Sequence, residues 1–287
     1  MEVQVGTIKA NLMIFLIIFS TYTLARTPLT STPQTNLPQT ELQKIKDYYQ
    51  AANGLVDSEQ LFKKLQKIVT DNHHFRGYST LYKYLAEVFQ DGDHNIIDYY
   101  SNNPHGQNPY NYDSGDKCGA YRQEGDCFNR EHIFPQGIFG KRMPMKSDYH
   151  HIVPTDGYVN NRRSNYPFGE VGRVDWSSQN GSKLGSSETP GYNGTVFEPI
   201  DEFKGDIARA LFYFAVRYQK VGGNWRHETL NNADYLFYKP WYVQLLKEWH
   251  EQDPVDEFEK EKNSAGFEFQ KNRNPFIDHP EWVELIW

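Results

Sequence analysis

Apolar residues recur at helical spacing at both ends of the chain, and the stretch between has no such period. Near the start, Leu42, Ile45 and Tyr49 share one helical face, and Thr40 and Gln43 have capping-box spacing. This predicts a helix that Gly54 closes. Leu61, Leu65, Ile68 and Val69 predict a second helix capped by Ser58, and Leu81, Leu85, Val88 and Phe89 a third from about Ser79. From Asn95 the character changes. Ile96 to Tyr100 reads as a strand, and Ser101 to Asp126, rich in Asn, Gly and Asp, reads as a long loop. Residues 128–134 and 149–153 read as short strands, followed by a helix that Thr155 caps and that runs to about Ser164. Gly- and Ser-rich residues 166–200 leave room for a hairpin around Val171 to Trp176. Helical spacing returns with Ile207, Leu211, Phe214 and Tyr218. Pro240 divides Ala233 to Glu251 into two segments, and Asp253-Pro254 opens a helix that ends near Lys271. Asn272 to Asp278 breaks that helix, and Pro280 opens a terminal turn. The fold class is α+β: a mainly helical single domain, residues 41–287, around a small strand–strand–helix centre.

Ahead of that domain, Leu12 to Phe19 is an apolar run too short to span a bilayer, which needs roughly 18 such residues or more. With Thr23-Leu24-Ala25 after it as a small-residue cleavage site, residues 1–25 read as an export signal. The expected location is secreted or periplasmic, with no membrane association after cleavage. Residues 26–40 are rich in Thr and Pro and read as a linker. In an exported chain Cys118 and Cys127 are most simply a disulfide. No sequence feature calls for an obligate protein partner, and a monomer is expected.

Composition constrains function weakly. Hydrophobic residues at 38% and aromatics at 15% suit a folded core rather than a disordered chain. A net charge of −7 argues against a body that holds nucleic acid for long, so any nucleic-acid chemistry needs a locally basic cleft. Arg130, Lys141, Arg142 and Lys146 around one segment, with Arg162 and Arg163 in another, supply such a cluster.

Those same two segments concentrate acid–base and hard-metal groups. Asn129-Arg130-Glu131-His132-Ile133-Phe134-Pro135 is one; Ser147 to Asn165 is the other. Hydrolysis of a phosphodiester needs a base effective near neutral pH, which histidine provides. It also needs positive charge where the phosphate accumulates negative charge. Magnesium takes a few protein oxygens and keeps several waters, so Glu131 and the amide oxygen of Asn160 make a fitting sparse site, with calcium or manganese as alternatives. His132 is the candidate base. Arg163 lies three residues beyond Asn160 and shares its helical face, as a candidate phosphate clamp. Arg162, Arg142, Lys146 and Arg209 are candidate phosphate contacts, with Arg209 alternatively a buried ion-pair partner. In a regular strand Glu131 and His132 face opposite ways, so both reach one site only if the strand ends there, which Pro135 favours. A His73-His74 pair has no partners at ligand spacing and reads as solvated loop. His150 and His151 fall on the second predicted strand, where one turns inward to a structural hydrogen bond.

Asn129 to Pro135 with Phe139-Gly140 resembles the Glu-His-x-x-Pro signature of the endonuclease I family of periplasmic and extracellular nucleases. Ser147 to Pro154, Val159-Asn160 and Arg163-Ser164-Asn165 resemble its second block. Ile207-Ala208-Arg209 with Phe212-Tyr213, and Asn272 to Phe276, are similar to two further blocks. The resemblance covers roughly residues 78–287. It implies a ββα-metal site with Glu131 and Asn160 as metal ligands and His132 as general base. It also implies sequence-nonspecific cleavage of DNA, often RNA too, leaving 5′-phosphates. Several relatives carry a longer loop between the two blocks, with an arginine that steadies the scissile phosphate. Here only Lys141 to Lys146 remains, and Arg142, Arg163 or Lys146 are the possible substitutes. Two alternatives stay open: an extracellular ribonuclease with little activity on DNA, and a catalytically silent nucleic-acid-binding module.

Overall fold

Three helices form where the apolar spacing asks for them, with their ends displaced from the predicted caps. The computed structural model describes residues 39–231 and 235–287. The predicted signal, 1–25, and linker residues 26–38 lie outside the described residues. Thr40 already lies inside α1 (Gln39–Tyr48), which buries Ile45, and the turn that follows closes at Gly54 with φ +80°. In α2 (Ser58–Asp71) the cap is Asp57, whose carboxylate accepts from the Gln60 backbone N–H at 2.8 Å. Ser58 is the first helical residue instead of the cap. α3 (Tyr78–Val88) buries Leu81 and Leu85.

The predicted strand at 96–100 is absent. Ile96 makes one isolated bridge to Gln90. Asp98 then accepts from the Tyr100 N–H at 2.8 Å and bends the chain into a turn. Ile96, Tyr99 and Tyr100 are all buried, so this apolar run marks a turn enclosed by the core and not a strand. Residues 101–126 contain no helix or strand, and Cys118 and Cys127 form a disulfide.

β1 (Phe128–His132) pairs antiparallel with β2 (Ile152–Asp156), in register from Phe128↔Asp156 to His132↔Ile152. β2 begins three residues later than predicted. Tyr149 to His151 instead form a 3-10 turn capped by the Asp148 carboxylate. Both histidines are therefore off the strand, and both are buried. α4 (Gly157–Arg163) follows directly. Its cap is Asp156, accepting from the Val159 N–H at 2.8 Å, rather than Thr155. Val171 to Trp176, read as a hairpin, lie instead within one strand, β3 (Val171–Ser177), which pairs with β4 (Lys183–Ser187), and β4 with β5 (Thr195–Glu198), in a three-stranded antiparallel sheet.

α5 (Lys204–Tyr218) runs through the core, every residue but Arg217 buried. Pro240 opens α6 (Pro240–Gln252) as its first residue, so the predicted break is a start. Asp253 ends α6, and α7 (Glu257–Gln270) is capped by Asp256, so Pro254 lies between helices. Asn274 caps α8 (Pro275–Asp278), and α9 (Trp282–Ile286) completes the chain. The fold is thus mixed helix and sheet, with both sheets small and antiparallel. Phe134, just past β1, stacks on Phe214 of α5 at 4.2 Å and fastens the strand–strand–helix centre to the core. Among the described residues no helix is long and apolar enough to cross a membrane.

Candidate active site

Alternation along β1 places Asn129 and Glu131 on one face, and α4 meets them there through Asn160. The Asn160 amide nitrogen donates to Asn129 Oδ1 at 2.7 Å and to Thr155 Oγ1 at 3.3 Å, which leaves its amide oxygen as an acceptor. Glu131 is buried, and its Oε1 accepts from the Tyr100 hydroxyl at 3.1 Å and from Arg163 Nη1 at 2.9 Å. Burial raises its pKa above the usual carboxylate range. The Arg163 charge and hydrogen bonds from Tyr100, the His132 backbone and Asn160 work the other way.

His132 is the last residue of β1, and the chain bends at Ile133. The strand therefore ends where it must for adjacent side chains to reach one place: Glu131 and His132 both line a single cleft of about 370 Å³. The ring has a definite tautomer. Nε2 lies 3.1 Å from the Lys146 carbonyl, which can only accept, so Nε2 carries the hydrogen and Nδ1 the lone pair. Nδ1 is buried and has no hydrogen-bond partner among the described residues. Burial, then the neighbouring His151, hold the His132 pKa well below the ordinary histidine value, so the ring is neutral.

The arginines fall differently from expectation. Arg163, the candidate clamp, lines the cleft but is almost wholly buried, and its guanidinium is engaged. It pairs with Glu131, donates to the Ile133 carbonyl at 2.8 Å and the His132 carbonyl at 3.3 Å, and lies 4.4 Å from the Phe168 ring. It fixes β1 to α4 instead of reaching into the cleft. Arg209 is fully buried, with Nη2 2.5 Å from Glu259 and 3.3 Å from Asp206. Of its two predicted roles the structure gives it the ion pair. Arg162 turns to the Tyr158 hydroxyl and the Trp176 ring, outside the cleft lining. Arg142 lines a separate cavity with Met143 and Val221. The Lys146 side chain sits over the Tyr78 ring at 4.7 Å, while its carbonyl does the work at His132.

Arg130 takes the place those residues leave. It lines the cleft with its guanidinium 3.5 Å from the Tyr78 ring centre and 4.1 Å from that of Tyr82, and Nη1 donates to the Tyr78 carbonyl at 2.7 Å. The sequence ranks it only among the surrounding basic residues, although its position beside Glu131 was a usable signal. Asn129, Tyr100 and Gln136 also belong to the site or its support and carried no signal of their own. His73, read as solvated, is buried at its side chain, 3.7 Å from Asp148. His150 and His151 each bond a backbone carbonyl, of Asn272 at 2.9 Å and Met145 at 2.7 Å, and are structural.

Among the described residues no three His, Cys, Asp or Glu side chains gather as a metal cluster. Two oxygens, from Glu131 and Asn160, in an open polar cleft suit a hard divalent cation that retains most of its water.

Comparison with known proteins identifies the family. A model of the family described as Endonuclease I matches residues 57–281. The chain is 34% identical over 247 residues to the extracellular ribonuclease of Bacillus subtilis (strain 168), covering 84% of this chain and 78% of that protein. The same figures hold for the extracellular ribonuclease of Bacillus amyloliquefaciens. It is 28% identical over 169 residues to the periplasmic deoxyribonuclease of Aeromonas hydrophila, covering 52% of this chain and 62% of that one. The match contains both halves of the cleft, β1 with Glu131 and His132 and α4 with Asn160, and on this basis the chain belongs to the endonuclease I family.

Proposed function

We propose that the chain is a secreted endonuclease that hydrolyses phosphodiester bonds of DNA and RNA with a divalent cation, magnesium by preference. β1, β2 and α4 serve as its ββα-metal centre. The observation that carries this is the neutral His132 ring, on a residue that lines the cleft with Glu131 and Asn160, with Nε2 tied to the Lys146 carbonyl and its buried Nδ1 unpartnered among the described residues. A fixed, uncommitted lone pair on a ring that borders a polar cleft is what a general base requires. His132 takes a proton from water at Nδ1, the water oxygen attacks phosphorus, and the 3′ oxygen departs, leaving a 5′-phosphate. Glu131 and the Asn160 oxygen would hold the cation, which when bound neutralises charge on the phosphate and the leaving oxygen. Arg163 acts through Glu131 as a positioning residue. Arg130, braced by two tyrosine rings, is the cleft cation available to the phosphate.

The relatives' names divide between ribonuclease and deoxyribonuclease. That supports activity on nucleic acid in both forms and a location outside the cytoplasm. A ribonuclease with little activity on DNA also fits. The test uses supercoiled plasmid and ribosomal RNA, each with magnesium and with EDTA, beside His132→Ala. Wild type should cut with magnesium and not with EDTA, and the variant should lose about 10²-fold or more. Both substrates surviving with magnesium present would sink the nuclease reading, and a variant as fast as wild type would sink the base.

A further inference from the structure

Where α4 ends the chain turns sharply, Ser164 taking φ +54°. The turn is a wall with a cavity on each side. Ser164 and Asn165 line the catalytic cleft and also a second, larger cavity of about 680 Å³. That volume lies within the ~300–1,000 Å³ of small-ligand sites. The Asn165 side chain faces Gly137 on the cleft side; a Cβ on Gly137 would come within 3.1 Å of the amide nitrogen. Its carbonyl, on the other side, accepts from His227 Nε2 at 2.9 Å.

The second cavity presents two kinds of aromatic surface. Tyr166 is 41% exposed, and among the described residues its ring meets no other ring and its hydroxyl makes no hydrogen bond. Tyr192 is held against Trp241, stacked at 4.5 Å and 6°, as a fixed platform. Arg226 is exposed; Nη1 donates to the Trp225 carbonyl at 3.1 Å, and it has no ion pair among the described residues. His227 has both nitrogens engaged, the second with Thr229 Oγ1 at 2.8 Å, so it braces the floor and offers a ligand nothing. A free aromatic face, a rigid one and an exposed guanidinium held by one backbone bond are the surfaces that hold a nucleotide. Every base has a π face that stacks on tyrosine, and arginine suits the adjoining phosphate.

We propose that this cavity is a base-binding subsite. It takes the unpaired base of a nucleotide next to the scissile phosphate, stacked on Tyr166, with Arg226 on the flanking phosphate. The substrate class it selects is single-stranded nucleic acid. A base in a duplex reaches the cavity only by leaving its stack, at an energetic cost. The assignment rests on the nuclease reading of the adjoining cleft, because continuity with that cleft is what puts a polynucleotide here.

The test is binding, measured apart from cleavage. Wild type, Tyr166→Ala, Tyr166→Trp and Arg226→Ala are titrated in EDTA against a labelled short single-stranded RNA and a labelled duplex DNA, read by fluorescence anisotropy. Tyr166 is exposed and packs on no ring, so its replacement leaves the fold intact. Tyr166→Ala should weaken single-strand binding about ten-fold, as expected for loss of one base–aromatic stack. Tyr166→Trp should retain it, and Arg226→Ala should weaken it and flatten its salt dependence. Duplex binding should change by less than about two-fold, since no base enters the cavity. Unchanged single-strand affinity in Tyr166→Ala, or equal losses on both substrates, overturns the proposal. Cleavage by wild type with magnesium, run in parallel, reports on the nuclease reading alone. A protein that cuts nothing but shows the predicted affinity ratios keeps the subsite and loses the enzyme.

Discussion

Asp148→Asn tests how the site is held up. Asp148 is fully buried at the turn before β2. Its carboxylate accepts from the hydroxyls of Tyr213 at 2.8 Å and Tyr218 at 2.6 Å, both on α5, and from the Gln270 amide at 2.7 Å at the end of α7. It also caps its own turn through the His150 N–H at 3.2 Å. One side chain thus joins three elements, and Lys146, whose carbonyl holds His132, lies two residues upstream. Asparagine preserves the shape and one acceptor. The charge and one acceptor are lost, which weakens about two charge-assisted bonds of ~1.5–3 kcal/mol each. The expected loss at neutral pH is therefore ~3–6 kcal/mol, a large share of the ~5–15 kcal/mol that holds a domain folded. The pH dependence has a definite sign. Burial alone would raise the Asp148 pKa, but His73, His151 and His150 and the Tyr218 hydroxyl outweigh it and hold the carboxyl well below the usual range. A depressed folded pKa gives stability that is complete above the unfolded value, about 3.9, and is lost as pH falls toward the folded one. Urea unfolding followed by circular dichroism should show a gap between wild type and variant that is constant from neutral pH to about 5 and shrinks in stronger acid. A gap under ~1 kcal/mol at neutral pH, or one that widens in acid, would refute the reasoning.

Other expectations follow from the same geometry. Arg209→Met removes a fully buried cation from Glu259 and Asp206 and should cost ~3–5 kcal/mol of stability. Its kcat/KM, corrected for the folded fraction, should stay at the wild-type value; a separate catalytic loss would return Arg209 to the substrate. Gly157→Ala puts a Cβ 2.5 Å from Cys118 Sγ at the start of α4. It should lower the melting midpoint, with overpacking of this kind costing ~1–3 kcal/mol, and a variant as stable as wild type would show the disulfide free to move aside. Cleavage of duplex DNA should slow steeply as salt rises, because the contacts are to phosphate and each releases counterions. Rates indifferent to salt up to several hundred millimolar, on the order of a Debye length of a few ångströms, would mean that the cleft grips something other than charge.

What the sequence made legible was the part whose chemistry is local. Asn129 to Pro135 announced a strand that stops, and β1 stops at His132. Asn160 sits on the predicted helix and meets the predicted strand. The misses share a cause: tertiary packing overrode local pattern. Ile96 to Tyr100 looks like a strand because Ile96, Tyr99 and Tyr100 are buried, but Asp98 turns the chain there. Asp148 captured the backbone of the next residues, so Tyr149 to His151 coil before β2 begins. Caps shifted by one residue where a neighbouring aspartate was the better acceptor, as at Asp57 and Asp156. Arginine was least legible. Its long side chain can leave its backbone in several directions, and what decides among them is a partner distant in sequence. Glu259 decides for Arg209, the Ile133 carbonyl for Arg163 and the Tyr78 ring for Arg130.

The contact between His132 and the Lys146 carbonyl bears on how such a site can drift. A carbonyl is present whatever residue carries it, so the proton on Nε2 does not depend on lysine at 146. The same holds for His151 on the Met145 carbonyl and His150 on that of Asn272. Exchange of those side chains leaves the acceptors in place. What matters is that some carbonyl stays 3.1 Å from Nε2, as that of Lys146 does here. The connection between the two halves of the cleft is therefore tolerant of spelling, and of a change in length wherever the change falls clear of that carbonyl.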